Sequence, residues 1–372
     1  MDVPRVPSYV GRGLVNLVAE IEHRLTGTAP SPTLDPDLAH FIPSASTYVV
    51  VLFDGLGAHQ LNHPNASDLA AASAGVLDAP FPATTTVSLA TVATGLPPSQ
   101  HGLIGYKMWM PDLGSVVNTI HMTTPTGESI ADLDAPGLLP SPNLWERLSA
   151  SGIGPVVVQP GNFASTPLTT ALYRGARFEG YWNLDDVARV TTDIAAIGER
   201  LVFVYVPDVD FAAHIAGQKS EQYDQAMVRA NTIWASLTTM LPPDVCLIGT
   251  ADHGHIDIDE TSRHLVDAKD LGEGFVSEDG RVLFVHGDGS KLAARHGGSW
   301  LPLDDGPGWW GPEPMHASFV DRRPAGIVFL PEGTTVFNRE SNRRLVGYHG
   351  GASPVDIEIP LLVRASSVIR NP

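Results

Sequence analysis

Apolar positions along this chain fall into helix-spaced stripes and short unbroken runs. Leu14, Val15, Leu17, Val18, Ile21 and Leu25 recur at helical spacing, which predicts an amphipathic N-terminal helix. A Pro- and Ser-rich connector follows, from about Thr28 to Ser46. Then come runs dense in β-branched residues: YVVVLF ending at Phe53, PVVVQP, LVFVYV ending at Val206 and VCLIGT ending at Thr250. AGIVFL ends at Leu330, and VLFV near Val285 is shorter. Between the runs, SPNLWERLSASG places a Ser at a cap position and a Gly at its end. The segments from Asp185 to Arg200 and from Ser220 to Leu241 also carry an apolar stripe. Helices alternating with strands that are apolar on both faces predict an α/β fold, a mostly parallel central sheet with helices on both faces. Such sheets bind ligands beyond the carboxyl ends of their strands.

The strand ends are where the chemistry gathers. The first run leaves into Asp54-Gly55-Leu56-Gly57, where an Asp before Gly can face the crevice or merely form the turn. The run ending at Val206 continues as PDVDFAAHIAG. There Asp210 and His214 stand four apart and share a face if the segment is helical. Asp208 competes as a ligand, but its six-residue spacing to His214 does not place both on one face. The run ending at Thr250 leads into Ala251-Asp252-His253-Gly254-His255, and an adjacent Asp and His after a buried strand are costly to bury unpaired. Late in the chain, His349 stands among glycines. Carboxylate and imidazole in this mixture suit zinc foremost, with manganese or iron as alternatives. Six such ligands are too many for one tetrahedral ion and about right for two.

One further segment, FPATTTVSLATVATGLPPSQHG, sets Thr84, Thr85 and Thr86 at the start of a helix-like stretch. A Thr there lies beside free backbone amides and the positive end of the helix dipole, which favours an anion. Plain helix capping by one of the threonines is the simpler role.

Composition narrows the picture. A formal charge of −18 argues against a nucleic-acid partner. It also raises the question of how so acidic a chain holds an anionic substrate, which bound cations would answer. A single cysteine, Cys246, rules out an internal disulfide, and no signal-peptide pattern opens the sequence, so a cytoplasmic location is expected. No stretch reaches the roughly 18 apolar residues of a membrane helix, so no membrane partner is expected. We read residues 1–372 as one domain, with about 259–340 as an elaboration over the active-site face.

These residues together resemble the alkaline phosphatase superfamily, in its type I phosphodiesterase/nucleotide pyrophosphatase branch, from about Tyr48 to Val363. Phe81-Pro82 sets the register of the F-P-x-x-T segment, Thr94-Gly95 and His101-Gly102 match the TG and HG motifs, and Asp252-His253-Gly254 and His349-Gly350 match two more. Asp210 to His214 fits a further motif, closed by Gly217, with Ala213 where the family has Gly. The resemblance implies one metal on Asp210, His214 and His349, and a second on Asp54, Asp252, His253 and the Thr85 oxygen. It implies Thr85 as nucleophile, a phospho-threonine intermediate and a small phosphorylated, nucleotide-like substrate cleaved at a phosphodiester or pyrophosphate bond. Ser88 stands where the family's phosphate-binding Asn is expected, and Thr86 where an aromatic is expected. The HGGASPVDIEIPLL segment is also similar to a pattern of broader superfamily members. Alternatives are a phosphomonoesterase or phosphonate hydrolase on the same scaffold, and a catalytically silent metal-stabilised binding module. Lys107 and Arg174 are candidate phosphate clamps. Tyr181-Trp182-Asn183 and Trp309-Trp310 are candidate aromatic walls or core residues, and Tyr205 either reaches the site or packs in the core.

Overall fold

The computed structural model describes residues 4–130, 136–198, 200–278, 280–304, 306, 308–339 and 341–364. The long apolar runs build the middle of a seven-stranded sheet. Its strands are β1 (Thr47–Phe53), β2 (Ser73–Asp78), β3 (Gly154–Pro160), β4 (Arg177–Tyr181), β5 (Arg200–Val206), β6 (Val245–Thr250) and β7 (Glu358–Val363). Their spatial order is β2-β7-β6-β1-β5-β3-β4. Pairing is parallel from β6 through β1, β5 and β3 to β4. β7 runs antiparallel to both of its neighbours. The mostly parallel α/β sheet is therefore as expected, with an antiparallel pair added at one side. The added strands escaped the sequence pattern for physical reasons. β2 is a half-exposed edge, and β7 carries Pro360 within its run.

Two expected strands belong elsewhere. Val282–His286 and Gly326–Phe329 pair antiparallel in a four-stranded sheet completed by Phe275–Val276 and Ser299–Pro302. An apolar run reads the same in either sheet, so pattern alone could not assign them. This small sheet has its own apolar cluster around Leu283, Val285 and Leu292, while Phe284, Ile327 and Phe329 join the main core.

Helices cover both faces of the central sheet. The apolar stripe of α1 (Leu14–Thr26) meets α2 (Thr85–Thr94), α3 (Leu144–Ala150) and the sheet around a small void lined by Leu17, Val92, Trp145, Val50 and Phe203. The cap of α3 is Asn143 rather than a serine. Its side chain accepts from the Glu146 amide at 2.9 Å, and Glu146 accepts from the Asn143 amide at 2.8 Å. On the opposite face lie α4 (Val187–Ala195) and α6 (Glu221–Met240), the latter capped by Ser220. Trp234 of α6 lies so close to Gly249 that a Cβ there would stand 2.8 Å from the indole. The short α5 (Asp208–Ala216) directly follows β5.

The aromatic pair Trp309-Trp310 is core. Both rings pack on Phe81, at centroid distances of 5.2 and 5.5 Å, and Trp310 is 1% exposed. The Tyr9 hydroxyl donates to the Trp309 carbonyl at 2.8 Å and accepts from the Phe81 amide at 3.0 Å, strapping the N-terminal segment over this cluster. Trp182 is 83% exposed and lies against Gly161.

A buried ion pair ties distant loops together. Arg281 donates to Asp356 Oδ2 at 3.0 Å, and the same carboxylate accepts from the Ser353 hydroxyl and the Gly351 amide. The Asp356 carbonyl accepts from the Gly254 amide at 2.9 Å. One residue thus joins the small sheet, the loop carrying His349 and the loop carrying His253. Burial alone would raise the Asp356 carboxyl, but Arg281, Ser353 and Gly351 hold it below the ordinary carboxylate range. A depressed folded pKa means that this stability is complete above the unfolded carboxylate value, about 4, and is lost as pH falls through the folded value. Asp356→Asn should therefore lower unfolding free energy by about 3 kcal/mol at pH 7, by leaving Arg281 buried without its counter-charge. Urea unfolding measures this, and the gap to wild type should narrow below pH 4. A gap independent of pH would show that the pair is not its source.

Candidate active site

Three adjacent strands, β6, β1 and β5, end at the same place and deliver three carboxylates. Asp54 follows β1, with its amide donating to the Val206 carbonyl at 2.9 Å. Asp210 lies in the first turn of α5, and its amide donates to the Asp54 carbonyl at 3.0 Å. The Gly55 amide donates to Asp252 Oδ1 at 2.9 Å. Gly55 takes φ +73°, and a Cβ there would stand 2.9 Å from the Asp210 Cα. Only a glycine lets the turn after β1 approach α5 so closely.

Two of these carboxylates share a pattern: one oxygen is tied and the other is left. Asp54 Oδ2 accepts from the Tyr205 phenol, while its Oδ1 is buried without a hydrogen-bond partner. Asp252 Oδ1 accepts from the Gly55 and His253 amides, while its Oδ2 is buried without one. Tyr205 thus reaches the site from β5. Buried, partnerless carboxylate oxygens are expensive unless a cation completes them.

The histidines follow a matching rule. His214 Nδ1 donates to the Gly347 carbonyl at 2.8 Å, His253 Nδ1 to the Gly254 carbonyl at 3.1 Å, and His349 Nδ1 to the Ala83 carbonyl at 3.0 Å. A carbonyl can only accept, so in all three the proton is on Nδ1 and the Nε2 lone pair is presented to the site. This is how metal-binding imidazoles are commonly oriented.

Distances then sort the groups. A tetrahedral ion with bonds of about 2.0–2.1 Å keeps its ligand atoms about 3.3 Å apart. His253 Nε2 lies 3.4 Å from Asp54 Oδ1, 3.3 Å from Asp252 Oδ2 and 3.2 Å from Thr85 Oγ1. His214 Nε2 lies 3.4 Å and His349 Nε2 3.9 Å from Asp210 Oδ1. The candidate ligands thus lie close together, but their clusters do not copy the expected sets: His214 stays at ion-pair distance from Asp210, and His253 reaches both clusters. Ligand atoms of Asp54, Asp252 and His253 lie within 4.8 Å of one another, as do those of Asp210, His253, His255 and His349. The sequence reading passed over His255. It ends the motif that supplied Asp252 and His253, is 1% exposed, and places Nε2 2.6 Å from Asp210 Oδ1. Two residues along an irregular loop carry no face rule, so spacing could not select it.

Electrostatics separate the carboxylates. Burial, then the neighbouring Asp210 and Asp252 charges, push Asp54 well above its ordinary range. Asp210 is also penalised by burial, but His214, His255 and His349 outweigh that and hold it low. Burial and the adjacent imidazoles keep His349 neutral, with its pKa well below the usual value, and burial pushes His255 down to about 4.

Thr85 opens α2, and Thr84 is the residue before it. The Thr84 side chain makes no capping hydrogen bond, so capping does not account for this run of threonines. Ser88 is fully buried and donates to the Asp252 carbonyl at 2.7 Å, bracing the ligand loop rather than facing a substrate. Thr86 is likewise buried, turned toward the Gly105 carbonyl.

A cavity of about 540 Å³ opens over Thr85, Asp210, His214 and His349. Its walls come from the hairpin Lys107–Met110 and Ser115–Asn118 with the loop beyond it, and from Glu278, Val282, Phe337, Leu345 and Tyr348. Other candidates lie apart from the cavity. Asp208 pairs with Arg229 at 2.6 Å, Arg174 pairs with Glu146 at 2.8 Å, and neither Trp182 nor Trp309 lines the cavity. Lys107 lines it, with its ammonium on the Ser341 hydroxyl. His101, from the HG motif, is a buried bolt with Nε2 3.1 Å from Thr91 Oγ1.

Solved structures share this architecture. Murine ectonucleotide pyrophosphatase/phosphodiesterase 5 superposes with a TM-score of 0.64 at 18% identity, over 84% of this chain and 87% of that one. An inactive variant of it, in complex with AMP, gives 0.62 at 18% identity over 84% and 87%. Phosphonoacetate hydrolase from Sinorhizobium meliloti 1021, in complex with phosphonoacetate, gives 0.64 at 15% identity over 87% and 91%. No curated protein sequence matches the chain significantly. The family described as type I phosphodiesterase / nucleotide pyrophosphatase matches residues 48–299, well over half of the sequence, and the chain belongs to that family.

Proposed function

We propose that this chain hydrolyses a phosphoester bond of a small, nucleotide-like substrate, with Thr85 as nucleophile and two divalent cations as cofactors. The observation that carries the reading is the quartet Thr85 Oγ1, Asp54 Oδ1, Asp252 Oδ2 and His253 Nε2. The three oxygens stand 3.2–3.4 Å from the same imidazole nitrogen, and the two carboxylate oxygens have no other partner. The donor set fits a metal, and Asp210, His214 and His349 offer a second place. Mixed imidazole and carboxylate donors favour zinc, with manganese or iron as alternatives.

Cations bound there would ionise the Thr85 hydroxyl near neutral pH and neutralise charge on the phosphoryl oxygens. The chain's own residues supply the rest. Position at the first turn of α2 sets the Thr85 oxygen beside backbone amides without intrahelical acceptors, a seat for anionic phosphoryl oxygens. The oxygen attacks phosphorus, the bond to the leaving oxygen breaks, and a phospho-threonine forms. Water then adds to phosphorus and the bond to Thr85 breaks, returning the enzyme. Tyr205 and the Gly55 amide hold the two carboxylates in place throughout.

The cavity supports a choice of substrate. Its volume is that of a small-molecule site. Among the described lining residues Lys107 is the sole Lys or Arg, so a polyphosphate tail finds no cationic cradle. Ile120, Val282, Phe337 and Leu345 suit an uncharged, partly apolar ester group. The murine neighbour binds AMP and is inactive as a threonine-to-alanine variant, which agrees with both parts of the reading. A second reading, phosphonate or phosphomonoester hydrolysis, draws on the phosphonoacetate hydrolase neighbour.

Two experiments test this. Thr85→Ala should lower kcat by at least about 10³-fold while metal content, read by mass spectrometry of the purified protein, stays as in wild type. Activity retained in that variant sinks the nucleophile assignment. Separately, bis-p-nitrophenyl phosphate should be cleaved faster than p-nitrophenyl phosphate or phosphonoacetate, and EDTA should abolish the rate. Preference for the monoester or the phosphonate moves the assignment to the second reading.

A further inference from the structure

His255 is the one imidazole at the site that breaks the common arrangement. His214, His253 and His349 each place Nδ1 on a backbone carbonyl and leave Nε2 open. His255 instead places Nε2 on Asp210 Oδ1, and its Nδ1 is buried without a partner. A carboxylate accepts, so His255 Nε2 carries the proton and has no lone pair for a cation.

The separation says the same. At 2.6 Å, His255 Nε2 and Asp210 Oδ1 are at hydrogen-bond distance, whereas ligands of one tetrahedral ion stay about 3.3 Å apart. The His214–Asp210 distance of 3.4 Å meets that spacing.

The ring sits in a fitted slot. A Cβ on Gly55 would stand 3.0 Å from its Cδ2, and a Cβ on Gly347 would stand 2.9 Å from its Nδ1. The His214 ring abuts it edge-on at a centroid distance of 4.7 Å, and the His349 ring at 5.1 Å. Two glycines keep this space open, and two imidazoles fix the ring plane within it.

We propose that His255 is a positioning residue for the Asp210 metal site, donating to Asp210 Oδ1 and turning that oxygen toward His214 and His349 without joining the metal's ligands. The inference rests on the two-metal reading above. Its consequence is a site with three protein ligands and a free position for the substrate. A fourth protein ligand would fill a tetrahedral shell.

The test is reloading of metal-stripped protein with Co²⁺, for wild type, His255→Leu and His255→Gln. Chelator competition gives affinity, and the visible absorption bands report coordination number. With His255→Leu, two Co²⁺ should still bind with wild-type band intensity, while affinity at one site falls about 10- to 100-fold. The Gln variant, which retains an N–H donor, should recover much of that loss. Loss of one Co²⁺, or a band intensity signalling a changed ligand number, would make His255 a ligand and overturn the proposal. Unchanged affinity in both variants would overturn it as well. If the Leu variant fails to fold, the Gln variant decides alone: its bands must match wild type. Wild-type protein that takes up no Co²⁺ overturns the two-metal reading itself, and this proposal with it, an outcome distinct from a defect confined to the variants.

Discussion

Repulsion among Asp54, Asp210 and Asp252 is the constraint from which the rest of this site follows. Three carboxylates delivered by neighbouring strands into a buried crevice would not stay there unaided. Each is therefore held by hydrogen-bond donors fixed in the fold: backbone amides at Gly55 and His253, a phenol at Tyr205, an imidazole at His255. The parallel sheet supplies the rigidity, since β6, β1 and β5 are central strands paired on both sides. Asp210 is stabilised in its charged form by nearby imidazoles, whereas Asp54, facing two other carboxylates, is not. That asymmetry leaves Asp54 costly to ionise, a cost that divalent cations would offset.

Much of this was legible in the sequence because it depends on strand ends. Where an apolar run of β-branched residues stops, the next polar side chain lands in the crevice, and Asp54, Asp252 and His253 are found there. The spacing of Asp210 and His214 worked because the segment is helical. His349 is a weak signal alone among its glycines and gains weight only beside the other ligands and the family resemblance. The reading fell short where contact depends on loops. His255, two residues past His253, owes its position to packing against Gly55 and Gly347 that no period encodes. Ser88 shows the reverse pattern. Its place in a motif suggested a substrate contact, while its rotamer sends the hydroxyl into the protein.

Substrate preference was the least legible part, for a structural reason. The ligand groups sit on the central sheet, but the cavity walls come from the hairpin after α2 and from the small antiparallel sheet. These segments are irregular, and their strands are short, so sequence pattern does not say which side chains face inward. Function in such folds is set by what is built above the strand ends.

The placement of β7 carries a consequence for biosynthesis. Among the described residues this strand follows all other strands in sequence, yet it lies inside the sheet, between β2 and β6. A nascent chain that has not yet released residues 358–363 from the ribosome exposes two unpaired strand edges, and β6 bears the segment leading to Asp252. Sheet closure, and with it a settled geometry for the crevice, must wait until translation has passed that point. Until then the open edges of β2 and β6 are the surfaces that a chaperone would need to shield from other chains.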